Sequence, residues 1–195
     1  MSHIRTRRAS GKAFAALTMA LLALGTTAGT ATAGTAGQDR APFAAQARAA
    51  GLDGGRAAEL QRQVDAELAA TGGTQVGVNK IDLDGKGFML LPLPGEKRAR
   101  DLDGGEAGIL GDPCYRGYAC FYQYENFEGP SFNLYDCGVR HAISWSGTGS
   151  WINNQPSKYR VKFYDVNGNL GWTSPGGPVS DAHAPWGWVY AVAAC

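Results

Sequence analysis

Three things are scarce in this chain: an excess of charge of either sign, histidine, and apolar runs of membrane-spanning length. Across 195 residues, 18 lysines and arginines nearly cancel 17 aspartates and glutamates, leaving a formal net charge of +1. A nucleic-acid-binding surface needs clustered positive charge, so nucleic acid is not an expected partner. Beyond residue 113 the balance is even: Arg116, Arg140, Lys158, Arg160 and Lys162 are matched by Glu125, Glu128, Asp136, Asp165 and Asp181. The only histidines are His3, His141 and His183, and no H-E-x-x-H, G-x-S-x-G or P-loop motif occurs. Zinc-peptidase, serine-hydrolase and phosphate-loop chemistries therefore lack their residues at the spacing they require. The one long apolar run, Ala13–Leu24, falls short of the roughly 20 residues a membrane-spanning helix needs, so no membrane partner is expected.

Arg5, Arg7, Arg8 and Lys12 flank that run on its N-terminal side, and the small residues Thr30–Gly34 follow, with an A-x-A pattern ending at Ala33. This order is that of a secretory signal peptide over residues 1–33, and it makes the expected mature protein secreted and extracellular. Export changes what the cysteines mean. Cys114, Cys120, Cys137 and Cys195 are the only four. In an oxidising compartment an even count reads as two disulfides, with three connectivities open. A zinc site would want clustered Cys and His at ligand spacing, and no C-x-x-C is present, so no metal is expected.

Composition shifts near residue 112. Of the 20 aromatic residues, 17 lie beyond it, including every Trp and Tyr. Residues 34–50 show no periodicity and are expected to be disordered. Within 53–71, Leu60, Val64 and Leu68 recur every four residues and give a helix one apolar face. Asp53 can cap its start and Gly72-Gly73 can end it. Val76 and Val78 then alternate with polar neighbours, Asp84–Gly87 (D-G-K-G) is a turn signal, and Phe88–Leu91 is a second apolar run. Residues 51–100 thus predict a small helix-hairpin segment with a core of its own, followed by a Gly- and Asp-rich linker over 101–113. The remainder, 114–195, carries strand signals throughout. A-C-F-Y-Q-Y, S-F-N-L-Y, K-Y-R-V-K-F-Y and G-W-V-Y-A-V are short, aromatic and β-branched, separated by Gly, Asn, Ser and Pro. The expected fold is all-β, a small sandwich or barrel preceded by a small α+β segment.

The densest aromatic stretch is C-F-Y-Q-Y-E-N-F-E-G, Cys120–Gly129. Tyr122, Phe127 and Gly129 follow the spacing aromatic, four residues, aromatic, one residue, glycine. A hairpin that folds over its own sheet needs an aromatic lid on the bend and a glycine where φ turns positive. F-Y-D-V-N-G-N-L-G repeats the pattern weakly: Tyr164 and Gly171 are in place, but Asn169 stands where the second aromatic belongs. The first stretch resembles the folded hairpin of the βγ-crystallin Greek key, and two such units make one βγ-crystallin-like domain. A wider pattern, C…YACFYQYENFEGPSFNLYDCG…SWSGTGSWINNQ…VKFYD, resembles the streptomycete-type metalloproteinase inhibitors, peptidase inhibitor family thirty-six, over residues 114–195. Ser150–Gln155 and Cys137-Gly138 are its most specific parts. The resemblance implies a double Greek-key sandwich with disulfides Cys114–Cys120 and Cys137–Cys195. It implies a monomer that is not an enzyme and whose partner is an extracellular protease, a thermolysin-like zinc metalloprotease. Residues 51–100 are similar to leader regions that precede such domains in exported proteins, and are a candidate pro-region.

An inhibitor of this kind presents a rigid loop in the manner of a substrate, and preorganisation lowers the ordering cost of binding. Two Gly- and Ser-rich connections are candidates: Ser146, Gly147, Thr148, Gly149 and Ser150, and Trp172, Thr173, Ser174, Pro175, Gly176 and Gly177. No catalytic residue is assigned. Ser180–His183 (S-D-A-H) holds all three triad residue types, but a triad is a spatial arrangement that such close neighbours rarely form. Glu125 and Glu128 read as solvent-facing residues of the hairpin. No cofactor is expected. Calcium, which many βγ-crystallin domains bind, wants six to eight oxygens, several of them carboxylate. Ser146–Trp151, at the equivalent spacing, offers none, and Asn153–Ser157 (N-N-Q-P-S) ends in Lys158, so the calcium site reads as degraded. Trp145, Trp151, Trp172, Trp186 and Trp188 could stack on sugars, which would suit the alternative function, a secreted βγ-crystallin-like binding or killer-toxin-like module acting on cell-wall glycan. The favoured reading places them in the core, with Trp186 and Trp188 on one face of a strand.

Overall fold

The computed structural model of the chain describes residues 41–103 and 113–195. The signal-peptide reading for 1–33, the start of the 34–50 segment and linker residues 104–112 fall outside the described residues. Two helices come first, α1 (Ala41–Ala49) and α2 (Gly54–Thr71). Asp53 starts α2 by accepting the Arg56 backbone N–H at 2.8 Å, and Gly72, at φ 74°, ends it with its own N–H on the Leu68 carbonyl. Leu60 and Val64 are fully buried on its inner face, each worth about 2 kcal/mol of transfer free energy. Helix α1 corrects an expectation: residues 41–49 are helical, not disordered. Alanines give a shallow apolar face with little periodic signal, and the hold on this helix is tertiary. Ala47 is buried. The Gln46 side chain accepts the Val78 N–H at 2.5 Å and donates to Asp103 at 2.7 Å.

The strands are β1 (Thr74–Gly77), β2 (Lys80–Asp82), β3 (Gly87–Leu90), β4 (Ala119–Tyr124), β5 (Glu128–Leu134), β6 (His141–Ala142), β7 (Thr148–Asn153), β8 (Lys162–Tyr164), β9 (Leu170–Thr173), β10 (Val179–Pro185) and β11 (Ala191–Ala193). Among the described residues they form two antiparallel sheets, one ordered β1-β2-β3-β5-β4-β7-β10 and the other β6-β11-β8-β9. The topology is an exchange. In the run β4 to β7, the third strand, β6, lies in the second sheet; in the run β8 to β11, the third strand, β10, lies in the first. Each half therefore completes the sheet of the other, and the aromatic inner faces close on one another.

The helix-hairpin segment joins this sandwich. Asp84 and Gly85, at φ 56° and 69°, make the D-G-K-G turn, and β3 then pairs with β5, Gly87–Leu90 running against Leu134–Ser131. Leu60, Val64, Ile81 and Met89 belong to the same core as Phe121, Phe132, Trp151, Phe163 and Trp186. Where the sequence suggests a core private to this segment, the β3–β5 pairing makes it continuous with the sandwich. The strand period of two also accounts for the crowded rings of β4. Phe121 points into the main core. Cys120 and Tyr122, on the other face, cluster with Cys114, Tyr118 and Phe127. No helix among the described residues is long and apolar enough to cross a membrane.

Candidate functional site

The bend between β4 and β5 is built from aromatic cover and left-handed backbone. Asn126, Phe127 and Gly129 take φ of 59°, 63° and 82°. Tyr122 and Phe127 meet edge to face at 5.7 Å between ring centroids. The Tyr124 ring lies against Gly129, so that a Cβ there would come within 2.6 Å of it. Ser150 fastens the bend from β7: its Oγ accepts the Phe127 N–H at 2.8 Å and donates to the Tyr124 carbonyl at 2.6 Å.

The second bend differs from its sequence pattern. Tyr164 is buried, with the Arg140 guanidinium 3.9 Å from its ring centroid. Positive φ falls on Gly168 (77°), not on Gly171. Gly171 sits in β9, where its missing Cβ lets the Trp188 ring lie against the backbone. The reason is Asp165. Its carboxylate accepts the backbone N–H groups of Asn167 and Asn169 at 2.9 and 2.8 Å and the Asn169 side-chain amide at 3.1 Å. The turn therefore closes before residue 171. These bonds, that from the Asn169 side chain first, hold the Asp165 carboxyl below its usual pKa.

Both candidate loops are largely built into the sandwich. In the first, Ser146, Gly147 and Thr148 are exposed, but Gly149 and Ser150 are buried in β7. A Cβ at Gly149 would overlap the Trp186 indole. In the second, Trp172 and Thr173 belong to β9, and Ser174 is buried, its Oγ accepting the Val161 N–H at 3.1 Å. Pro175 is exposed, Gly176 packs on the Ser157 backbone, and Gly177 on that of Gln155 and Asn153.

A third loop, outside the two candidates, combines exposure with fixation. Cys137, Gly138 and Arg140 are exposed between β5 and β6, and Val139 is half-exposed. Gly138 takes φ 84°, and its N–H reaches the Cys195 carbonyl at 3.3 Å. Cys137 is disulfide-bonded to Cys195, with 4.8 Å between the Cα atoms; Cys114 is bonded to Cys120, with 5.7 Å. These are the two pairs the family resemblance implies. On one side of the turn, the Tyr135 and Asp136 N–H groups both reach the Lys86 carbonyl at 3.4 Å. On the other, Arg140 donates to the Gly168 carbonyl at 2.9 Å while stacking on Tyr164. The available signal was the Cys-Gly pair: a cysteine tied to the chain terminus, next to a residue free to turn left-handed.

The remaining sequence candidates have structural assignments. Asp181 Oδ1 accepts the His183 backbone N–H at 2.9 Å, and the His183 Nε2 lies 3.9 Å from Glu125, so the S-D-A-H residues do not form a Ser-His-Asp relay. Glu125 is exposed, and Glu128 is half-buried with Lys97 at 3.6 Å. The N-N-Q amides are committed to the fold. Asn153 donates to the Tyr159 carbonyl at 3.0 Å, and Gln155 bridges the Asn153 Oδ1 at 2.9 Å and the Ala194 carbonyl at 2.7 Å. Among the described residues no group of three or more His, Cys, Asp or Glu side chains is placed to hold a metal ion. Trp145, Trp151 and Trp186 are buried, whereas Trp172 and Trp188 are exposed. The strand reading of Trp186–Trp188 is corrected: Val189 N–H bonds the Trp186 carbonyl at 2.9 Å, so Trp186–Val189 is a turn; Trp186 is buried and Trp188 exposed, and both line one groove. His141, on β6, is a partly buried imidazole. Burial, and then the Lys86 charge, push its pKa below the ordinary value. Comparison with family models, with curated proteins and with solved structures returns no match.

Proposed function

We propose that the chain is a secreted βγ-crystallin-like peptidase inhibitor, directed at a thermolysin-like zinc metalloprotease, and that Cys137–Arg140 is the segment it presents. Two features support the fold part of this reading: the exchange of third strands between the two halves, and the aromatic bend with Gly129 at positive φ. One observation carries the functional part. The Cys137–Arg140 turn is exposed, yet it is clamped by a disulfide, by the Cys195 and Lys86 carbonyls, and by the Arg140 stack on Tyr164.

The mechanism follows from that constraint. A flexible peptide loses backbone freedom on entering a protease cleft, at roughly 1–2 kcal/mol per residue. A turn already fixed at both ends loses little, so more of the contact energy appears as affinity. If the bond within it were cut, the disulfide to the chain end and the flanking β5 and β6 pairings would hold the new termini together and favour religation over release. The interaction needs no reactive side chain, which agrees with the lack of a catalytic motif in the sequence.

The test is inhibition of a thermolysin-type protease by variants of each exposed loop. Replacing Val139 and Arg140 by Ala should weaken inhibition by about ten- to a hundredfold, as for the anchor residues of other interfaces. Replacing Ser146 and Thr148 by Ala should change it by less than about threefold. The reverse ranking would move the site to the β6–β7 connection, and equal loss in neither pair would remove both.

A further inference from the structure

Trp172 and Trp188, 43% and 38% exposed, are neighbours in space. They line a groove of about 350 Å³ whose deeper wall is the buried rings of Trp151, Phe163 and Trp186. The Trp172 ring centroid lies 5.6 Å from that of Trp151 and 5.3 Å from that of Phe163. The lining carries a single charged side chain, Asp181 on β10. Its Oδ1 is used by the His183 backbone N–H. Its Oδ2 has no hydrogen-bond partner, and no lysine or arginine pairs with it, among the described residues. Asp181 immediately precedes a bulge in the β10–β7 pairing, which spans Asp181 to Ala184, and bulges re-aim the side chains beside them.

An aromatic wall with an unpaired carboxylate selects for a particular chemistry. The π faces of indoles attract cations more strongly than those of other side chains, and the attraction grows when the cation sheds water. A carboxylate set among apolar groups is disfavoured without a counter-charge. Methyl groups around a positive centre satisfy both conditions: they pack on the rings while the charge sits near Asp181. A neutral sugar would stack equally well on indole, but it needs several acceptors as well as donors around its hydroxyls, and the side chains of this wall supply one carboxylate beside indole N–H donors. We propose that the groove binds a small organic cation of the quaternary-ammonium class, held between Trp172, Trp188 and Asp181. This function is independent of the Cys137–Arg140 turn, with which the groove shares no residue. The same head group occurs free, as in choline, or on a zwitterionic lipid.

The whole oxidised protein is titrated with tetramethylammonium, choline, and 3,3-dimethyl-1-butanol, the uncharged analogue of choline, following tryptophan fluorescence at constant ionic strength. Both cations should give saturable changes, and the uncharged analogue should bind about tenfold more weakly or worse. Asp181→Asn, which keeps the shape and the His183 bond, should weaken choline by about tenfold with an unchanged thermal midpoint. Trp172→Ala should weaken it as well, giving a second variant should the first disturb the fold. Sedimentation with phosphatidylcholine or phosphatidylglycerol vesicles assigns the source. Binding to the former alone, lost in Asp181→Asn, names the lipid head group, and no binding to either names the free cation. Equal binding of the uncharged analogue, an unaffected Asp181→Asn variant, or saturation by a cello- or chito-oligosaccharide in place of the cations would overturn the proposal.

Discussion

The bends β4–β5 and β8–β9 start from the same sequence spacing and end as different structures. In the first, Tyr122, Tyr124 and Phe127 cover a left-handed stretch, Gly129 lies beneath the Tyr124 ring, and Ser150 ties the fold from a third strand. In the second, the turn glycine, Gly168, has only the Arg140 guanidinium beside it among the described residues. Asp165 gathers three donors from Asn167 and Asn169, Gly168 takes the positive φ, and the chain returns sooner. Aromatic cover binds a bend to the rest of the sheet, whereas a carboxylate binds it only to itself. The consequence is an unequal surface: the early turn in the second half leaves Leu170 and Trp172 exposed. The apolar groove opens there.

Substitutions can break this comparison at graded cost. The largest loss should come from removing the Cys137–Cys195 bridge, which spans 58 residues and joins the end of the first half to the end of the second. The loop-entropy relation gives about 4 kcal/mol for it, against about 2 kcal/mol for Cys114–Cys120, whose separation is 6. Urea melts of the two double Cys→Ala variants check the order. Gly129→Ala comes next. It combines a positive φ with a ring in the way and should cost about 3 kcal/mol, while Gly171→Ala, which meets the Trp188 ring but has no positive φ, should cost about 2 kcal/mol. Equal losses would mean that the second bend carries its glycine as the first does.

Ser150→Ala leaves the Phe127 N–H and the Tyr124 carbonyl without their hydroxyl and should cost about 2 kcal/mol by chemical denaturation. The smallest effect belongs to Asp165, a half-exposed side chain whose bonds to Asn167 and Asn169 stay within its own turn. Asp165→Ala should lower the thermal midpoint slightly at neutral pH. Because its folded pKa lies below the ordinary 3.8, its contribution is complete above that value and disappears as pH falls through the folded one. The gap between wild type and Asp165→Ala should therefore close in strong acid. A gap that widened in acid would contradict the hydrogen-bonding account of this turn.

The sequence patterns and the structure agree where a residue's role is local. Asp53 and Gly72 bound α2, Asp84-Gly85 turns the hairpin, and Gly129 takes the positive φ, because capping and left-handed backbone are decided within a few residues. The short aromatic runs of 114–195 likewise announce strands. What escaped the sequence depends on partners far along the chain. Helix α1 is fixed by Gln46 on Val78, the helix-hairpin segment is absorbed through β3 on β5, and Gly171 answers to Trp188 rather than to its own turn. The candidate site divides the same way. Ser146–Ser150 and Trp172–Gly177 have loop composition, but Trp186, Val161 and Ser157 claim parts of them from across the sandwich. Cys137–Arg140 has little loop composition, and its fixation comes from Lys86, Gly168 and Cys195.

The most direct test is titration of a thermolysin-like zinc protease with the oxidised protein and with the same protein after reduction and alkylation of its cysteines. Saturable inhibition at micromolar concentration or below, weakened at least tenfold once Cys137 and Cys195 part, is the expected result. A protease that stays fully active at high micromolar oxidised protein, or one inhibited equally by the alkylated chain, would contradict it.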